Sequence, residues 1–473
     1  MAIFRSYKKL KEALLNNSTT CTKVVTFFVN EIKKKQELNA FIEVFEKESL
    51  LRAADIDKKI QAGKQGRLAG MVVAIKDNIC YKNHKTTASS KILEGFESLY
   101  NSTVISRLLK EDAIIIGRLN CDEFAMGSSN ENTIYGPVKN PMNIKKVAGG
   151  SSGGAAAAVA GGLCLAALGS DTGGSIRQPA AFCGVVGMKP TYSRVSRNGL
   201  IAYASSFDQI GPITNNVYDS ALLLEVIAGQ DEYDNTTSNK KVKNYANFIT
   251  TTPKKIGYIK DCFDREEIEK EVKEIVQNKM EKIKKKGHVV RPVSFPLLDF
   301  LVPTYYVLTT AEASSNLARY DGVHYGYRDK NTNNLSDIYY KSRSKGFGNE
   351  VKRRIMLGTF VLSSEHYETY YTKAQQVRRL IQEETKKLFK KYDFIISPTT
   401  PHTAFDIGKK HKDPTKLYLE DIFTVQANLS GNPAISLPIG KDSNGLPVGL
   451  HIMSDHFNEK ELFSFSKDIF KEN

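Results

Sequence analysis

No apolar stretch in this chain is long enough to span a bilayer. The longest, Ala155 to Gly169, falls short of the roughly 20 residues needed and is broken by Gly161-Gly162. The N-terminal Arg5-Ser6-Tyr7-Lys8-Lys9-Leu10-Lys11 has charge but no apolar core after it, so no secretory signal is visible and a cytoplasmic location is expected. The six cysteines, at 21, 80, 121, 164, 183 and 262, contain no Cys-x-x-Cys pair and no His/Cys spacing suited to zinc. Reduced thiols and no metal are expected, with Cys164 and Cys183 acting as buried hydrophobes. No internal repeat or low-complexity segment occurs, and none of the 8 histidines lies near the glycine-rich motifs.

Those motifs are what the chain does have. Gly-Gly-Ser-Ser-Gly-Gly occupies 149–154 and Gly-Ser-Asp-Thr-Gly-Gly-Ser-Ile-Arg occupies 169–177. Each puts a serine, Ser151 or Ser175, in a turn where backbone N–H groups can approach a substrate closely. Lys76 follows the apolar run Met71-Val72-Val73-Ala74-Ile75. A serine hydroxyl is a poor nucleophile until a base takes its proton. Lysine can be that base only when neutral, which requires burial or nearby positive charge to lower its pKa from about 10.4. The end of an apolar strand supplies burial. Ser151 can relay the proton from Ser175 to Lys76, because a hydroxyl donates and accepts at once.

The N–H groups of Thr172, Gly173, Gly174 and Ser175 would then face the developing oxyanion, each worth about 3 to 4 kcal/mol. The chemistry read here is hydrolysis or transfer of an amide. Taken singly, each piece has an ordinary explanation: Gly/Ser clusters are usually turns or linkers, and a lone lysine is usually solvated or ion-paired. A phosphate-cradling loop is disfavoured, because the Lys-Ser or Lys-Thr that closes a Walker loop is missing.

From about Gly70 to Thr214 the chain resembles the amidase signature family, whose motif is a Gly-Gly-Ser-Ser-Gly-Gly turn followed by Asp-x-Gly-Gly-Ser-Ile-Arg. The resemblance implies Ser175 as acyl nucleophile, Ser151 as bridging serine held by a cis peptide bond, and Lys76 as general base. Ala155 stands where many relatives carry another serine, outside the three catalytic positions. Within the family the wording is similar to the branch formed by the A subunits of aspartyl/glutamyl-tRNA amidotransferases. The phrases that carry this are Asp122-Glu123-Phe124-Ala125-Met126-Gly127-Ser128-Ser129, Gly187-Met188-Lys189-Pro190-Thr191-Tyr192, Ser205-Ser206-Phe207-Asp208-Gln209-Ile210-Gly211-Pro212, Ala311–Leu317 and Lys352–Thr359.

That branch implies glutamine as substrate, a Ser acyl-enzyme, and ammonia passed on to convert Glu-tRNA(Gln) to the amidated product, with Asp-tRNA(Asn) a second acceptor that the sequence leaves open. The partners implied are the B and C subunits of a heterotrimer, with misacylated tRNA bound mainly through the former. No cofactor is expected in this chain; ATP and Mg2+ belong to the partner's step. A free amino acid calls for an arginine and an acid that converge from different segments. The resemblance places Arg354, Asp421 and Tyr306 in those roles, with Met126, Gly127 and Ser128 lining the site. Arg353 and Tyr305 offer the same side chains one residue away. A stand-alone amidase of small amides would keep Lys76, Ser151 and Ser175 but lack the clamp and need no partner.

The balance of 67 basic over 52 acidic residues gives +15. Clustered Lys and Arg would suit tRNA phosphates, but runs such as Glu281-Lys282-Ile283-Lys284-Lys285-Lys286 are scattered and read as compositional drift. Alternating strands and helices predict an α/β protein, and the resemblance implies the amidase signature fold, a mixed central β-sheet flanked by helices. Residues 5–60 read as helices. Strands are predicted at Met71–Ile75, Ala113–Gly117, Cys164–Leu168, Lys255–Ile259, Phe394–Ile396 and Ala434–Ile439, and helices at Ala155–Ala160, Glu266–Lys286 and Glu365–Lys391. The expected parts are an N-terminal helical region (1–65), a core with the Ser-Ser-Lys site (66–230), a strand plus helical region contributing the pocket (231–392), and a C-terminal return to the core (393–473).

Overall fold

Among the described residues, thirteen strands organise the chain: β1 Phe41–Val44, β2 Val72–Lys76, β3 Ile114–Leu119, β4 Lys139–Asn140, β5 Asn143–Val147, β6 Ala166–Asp171, β7 Val186–Lys189, β8 Gln209–Thr214, β9 Lys255–Ile259, β10 Val289–Val293, β11 Phe394–Pro398, β12 Ala434–Lys441 and β13 Pro447–Ser454. They belong to a computed structural model that describes residues 4–249, 252–409 and 419–470. Eleven form one sheet in the order β1-β3-β2-β6-β8-β7-β12-β13-β11-β9-β10, while β4 and β5 pair separately. The sheet is mixed. The pairs β3–β2, β2–β6, β11–β9 and β9–β10 are parallel, and the others antiparallel.

The middle of this sheet is covered on both faces. Every residue of β2, β3, β6 and β8 is buried, which is why β2 and β3 read as continuous apolar runs rather than alternating ones. The helix Gly153–Ala160 is Gly-Gly-Ala-Ala-Ala-Ala-Val-Ala, buried on every side and packed on β2, β6 and β8. Its small side chains let it lie close to the strands, and a helix apolar all round has no solvent face to mark. Among the described residues, no helix is long and apolar enough to cross a membrane.

The expected strands and helices are present with small boundary shifts; the helix expected at Glu266–Lys286 runs Lys270–Lys285. Two readings need correction. The segment 5–60 is not helical throughout: between the helices Cys21–Lys34 and Glu46–Gln61 the chain forms β1, whose Phe-Ile-Glu-Val pairs antiparallel with β3. The segment expected as the helix Glu365–Lys391 holds a π-turn at Tyr367–Thr372 before a regular helix at Lys373–Phe389. Strands β4, β5, β7, β8, β10 and β13 come in addition to the expected ones, and β7 and β8 join the two halves of the large sheet.

Candidate active site

The parallel pairing of β2 with β6 brings the candidate catalytic groups together. Ile75 lies opposite Leu168, so Lys76 at the end of β2 meets Ser170 near the end of β6. In sheets of this kind, ligand sites gather beyond the carboxyl ends of parallel strands. Lys76 is fully buried. Its Nζ donates to Ser151 Oγ at 2.7 Å and to Ser170 Oγ at 2.9 Å, and Asn78 Nδ2 also donates to Ser170 Oγ at 2.9 Å. Burial pushes the lysine down to about 8, against the pull of Cys121, Asp122, Asp171 and Asp208, which favour the charged form. A lysine so tuned is available as a base close to neutral pH.

Ser151 follows a cis peptide at Gly150–Ser151 and precedes the helix Gly153–Ala160. Its turn is tied to both neighbouring loops. Gly150 N donates to Gln178 Oε1 at 2.9 Å, Gln178 Nε2 donates to Ser128 O at 2.8 Å, and Ser152 N donates to Ser175 O at 3.0 Å. The turns of Ser151 and Ser175 thus sit side by side through backbone contact. The Ser175 hydroxyl has no hydrogen-bond partner among the described residues, and Ser175 is 8% exposed.

The turn carrying Ser175 is shaped by Asp171. Its carboxylate accepts from Gly174 N at 3.0 Å and Ile176 N at 3.1 Å, and from Arg177 Nη2 and Nε, both at 3.0 Å. Burial works to raise the Asp171 pKa, but the Arg177 charge and its two hydrogen bonds hold it well below the usual carboxylate range. Arg177 is also fully buried, and its Nη1 donates to Thr424 O and meets His451 Nε2, each at 2.8 Å. Burial, then the Arg177 charge, keep that imidazole neutral.

These bonds alter the expected set of oxyanion donors. Gly174 N–H is committed to Asp171, which leaves the N–H groups of Thr172, Gly173 and Ser175 without an acceptor among the described residues. Three unsatisfied donors beside a serine hydroxyl form a site for developing negative charge. Glycine is required here: Gly174 has φ +143° and a Cβ there would overlap Thr424 Oγ1, while a Cβ on Gly173 would meet the Tyr305 ring at 2.6 Å. Asp171→Asn would leave the Arg177 guanidinium buried without its counter-charge. It is expected to cost about 3 to 5 kcal/mol, read as a fall in the urea midpoint.

The expected amino-acid clamp lies beside this turn. Arg354, from the helix Asn349–Val361, is buried, donates from Nη1 to Tyr203 OH at 2.9 Å and stands 5.1 Å from the Tyr306 ring centroid. Its Nε donates to Glu350 Oε1 at 2.9 Å, and the neighbouring Arg353, half-exposed, pairs with the same carboxylate from the outside. Asp421 is buried, accepts from Ser128 Oγ at 3.1 Å, and is pushed up to about 7 by burial. Tyr305 packs against Gly173 and Phe207, while Tyr306 faces Arg354. Met126 is buried, and Gly127 packs on the Asp122 carboxylate, which also abuts Gly150.

Several residues of this neighbourhood escape the sequence reading. Ser170, Asp171, Arg177 and Gln178 lie in or beside the motif already singled out, so their proximity in sequence is a usable signal. Tyr203 reaches the site from a distant segment and carries no local signal, while Glu350 lies one helical turn before Arg354, Thr424 follows Asp421 by three residues, and Asn428 Nδ2 donates to Asp171 at 2.9 Å.

Known proteins share this chain's sequence and fold over nearly its whole length. The amidase family model matches residues 23–463. The A subunit of a glutamyl-tRNA(Gln) amidotransferase from Chlorobium phaeobacteroides is 51% identical over 467 residues, covering 98% of each chain. Among solved structures, the A subunit of glutamyl-tRNA(Gln) amidotransferase from Thermotoga maritima is 41% identical, with a TM-score of 0.79 over 98% of this chain and 95% of its own. A peptide amidase from Stenotrophomonas maltophilia is 27% identical, with a TM-score of 0.82 over 97% and 95%. The chain belongs to the amidase family.

Proposed function

We propose that this chain hydrolyses glutamine as the A subunit of a tRNA-dependent amidotransferase, supplying ammonia for the conversion of Glu-tRNA(Gln). The observation that carries the reading is the buried Lys76–Ser151 contact of 2.7 Å beside Ser175 and its three open N–H donors. Ser175 Oγ attacks the side-chain carboxamide carbon. Its proton moves through the Ser151 hydroxyl to neutral Lys76, a relay whose first link, Ser175 to Ser151, closes as substrate seats. The oxyanion takes the N–H groups of Thr172, Gly173 and Ser175. Collapse breaks the C–N bond, the proton returns to the departing nitrogen, and ammonia leaves. Water then hydrolyses the glutamyl ester by the same route in reverse.

The clamp selects the amino acid. Arg354 receives the α-carboxylate, Asp421 the α-ammonium, and the Tyr306 ring flanks the guanidinium. Met126, Gly127 and Ser128 form the wall between the clamp and the Ser151 turn. A heterotrimer with B and C subunits fits the names of the relatives, which are themselves A subunits. The step that consumes ATP with Mg2+ and the binding of misacylated tRNA are placed on the B subunit. Arg354→Ala is expected to raise KM for glutamine about 10- to 100-fold with kcat little changed, because binding shared by ground and transition states is lost. Steady-state ammonia release by the complex measures it. Cleavage of simple amides by the isolated chain, with glutamine ignored, would instead establish a stand-alone amidase.

A further inference from the structure

The helix Asn349–Val361, which carries Arg354, begins at Gly348, a residue with no side chain to cap it. The cap comes from elsewhere. Gly348 N donates to both oxygens of Glu123, at 2.9 and 3.1 Å. Glu123 is buried, Ser90 Oγ donates to the same carboxylate, and Ser90 Oγ also reaches Gly346 O at 3.3 Å. A Cβ on Gly348 would overlap Glu123 Oε2, so the glycine permits the approach. A carboxylate at a helix N-terminus satisfies an orphan donor and meets the positive end of the dipole. Next in the chain, Phe124 packs on Phe347 and Tyr320, with ring centroids 5.8 and 5.1 Å apart.

We infer that Glu123 is the positioning residue that sets where Arg354 stands in the clamp, by anchoring the start of the arginine's helix to the loop that holds Ser128. The inference rests on the clamp reading above. Arg354 lies about one and a half turns beyond the anchor, close enough that a shift of the first turn moves the guanidinium against Tyr203 and Tyr306. The same loop reaches the other jaw, since Ser128 donates to Asp421 at 3.1 Å. One segment, 122–128, thereby fixes the spacing between the groups that take the two ends of the amino acid.

The test uses the assembled complex. Glu123→Gln keeps the size of the side chain but puts an amide N–H₂ where an oxygen faced Gly348 N–H. The expected result is a rise of about tenfold in KM for glutamine, with kcat within twofold and ammonium-supported amidation unchanged. In an Arg354→Ala background the same substitution should add nothing, since the two act through one group. An unchanged KM in the folded Glu123→Gln complex overturns the inference, as does an equal rise in both backgrounds. If Glu123→Gln does not fold, Gly348→Ala presses on the contact from the other side. It should give the same KM rise, and a wild-type KM overturns the inference. Arg354→Ala with a wild-type KM would instead remove the clamp reading itself, an outcome distinct from failure at Glu123 alone.

Discussion

Glutamine cleavage by the Ser175→Ala complex is expected to fall by on the order of 10⁴ to 10⁶-fold, while amidation supplied with ammonium salts continues at the wild-type rate. The two halves of the result come from different places. Loss of the hydroxyl removes the atom placed to form the acyl bond, and the Thr172, Gly173 and Ser175 N–H donors cannot substitute for a nucleophile. Ammonium salts bypass that step, because amidation proper belongs, in the function proposed above, to the partner subunit. The melting temperature should stay where it is, since the Ser175 hydroxyl makes no hydrogen bond among the described residues whose loss would weaken the fold. Ammonia release measured with glutamine, beside product formation with ammonium chloride, checks both halves. Loss of both activities in a folded complex would show that Ser175 is structural rather than chemical.

How much of this can be read from the residues depends on how far apart in the chain the interacting groups lie. Lys76, Ser151 and Ser175 are legible because each sits in a short motif whose backbone chemistry is local. Their convergence is a property of the sheet: β2 and β6 are neighbours, and parallel pairing carries Lys76 to Ser170 with no sequence signal. Gly174 is expected from spacing as an oxyanion donor, yet its N–H is taken by Asp171, a bond that spacing alone does not reveal. The choice between Arg353 and Arg354 is one of burial, and adjacent residues on a helix point about 100° apart. Only the packed structure shows that Arg354 is buried against Tyr203 while Arg353 stays half-exposed, with Glu350 pairing to both arginines.

Strand β8 is illegible for a different reason. Gly211 and Pro212 are residues that ordinarily argue against a strand interior. Gly211 is needed there because a Cβ would overlap Met188 O, a close approach that exists only once β7 and β8 are paired. Strand β10 contains Pro292 and lies at the sheet edge, where a missing donor is tolerated. In both strands the local rule gives way to position within the sheet.

Lys76 is the second group whose loss should be near-total, and its pH dependence distinguishes a base from a structural cation. Burial lowers it to about 8. Only the neutral amine can accept the proton, and the neutral fraction grows as pH rises. Below about 8 the rate should therefore increase close to tenfold per pH unit, then level off above it. Lys76→Ala should cut kcat by about 10³- to 10⁴-fold and flatten the slope of kcat, leaving Asp421, pushed up to about 7, to titrate in KM for glutamine. Lys76→Arg supplies the contrast. A guanidinium stays protonated throughout this range, so it can keep a positive charge near Ser151 but cannot take the proton. If Lys76 served only to hold Ser151 by charge and hydrogen bonding, arginine would restore much of the rate. The expected result is that it restores almost none, with both variants still folded and still competent for ammonium-supported amidation within the complex.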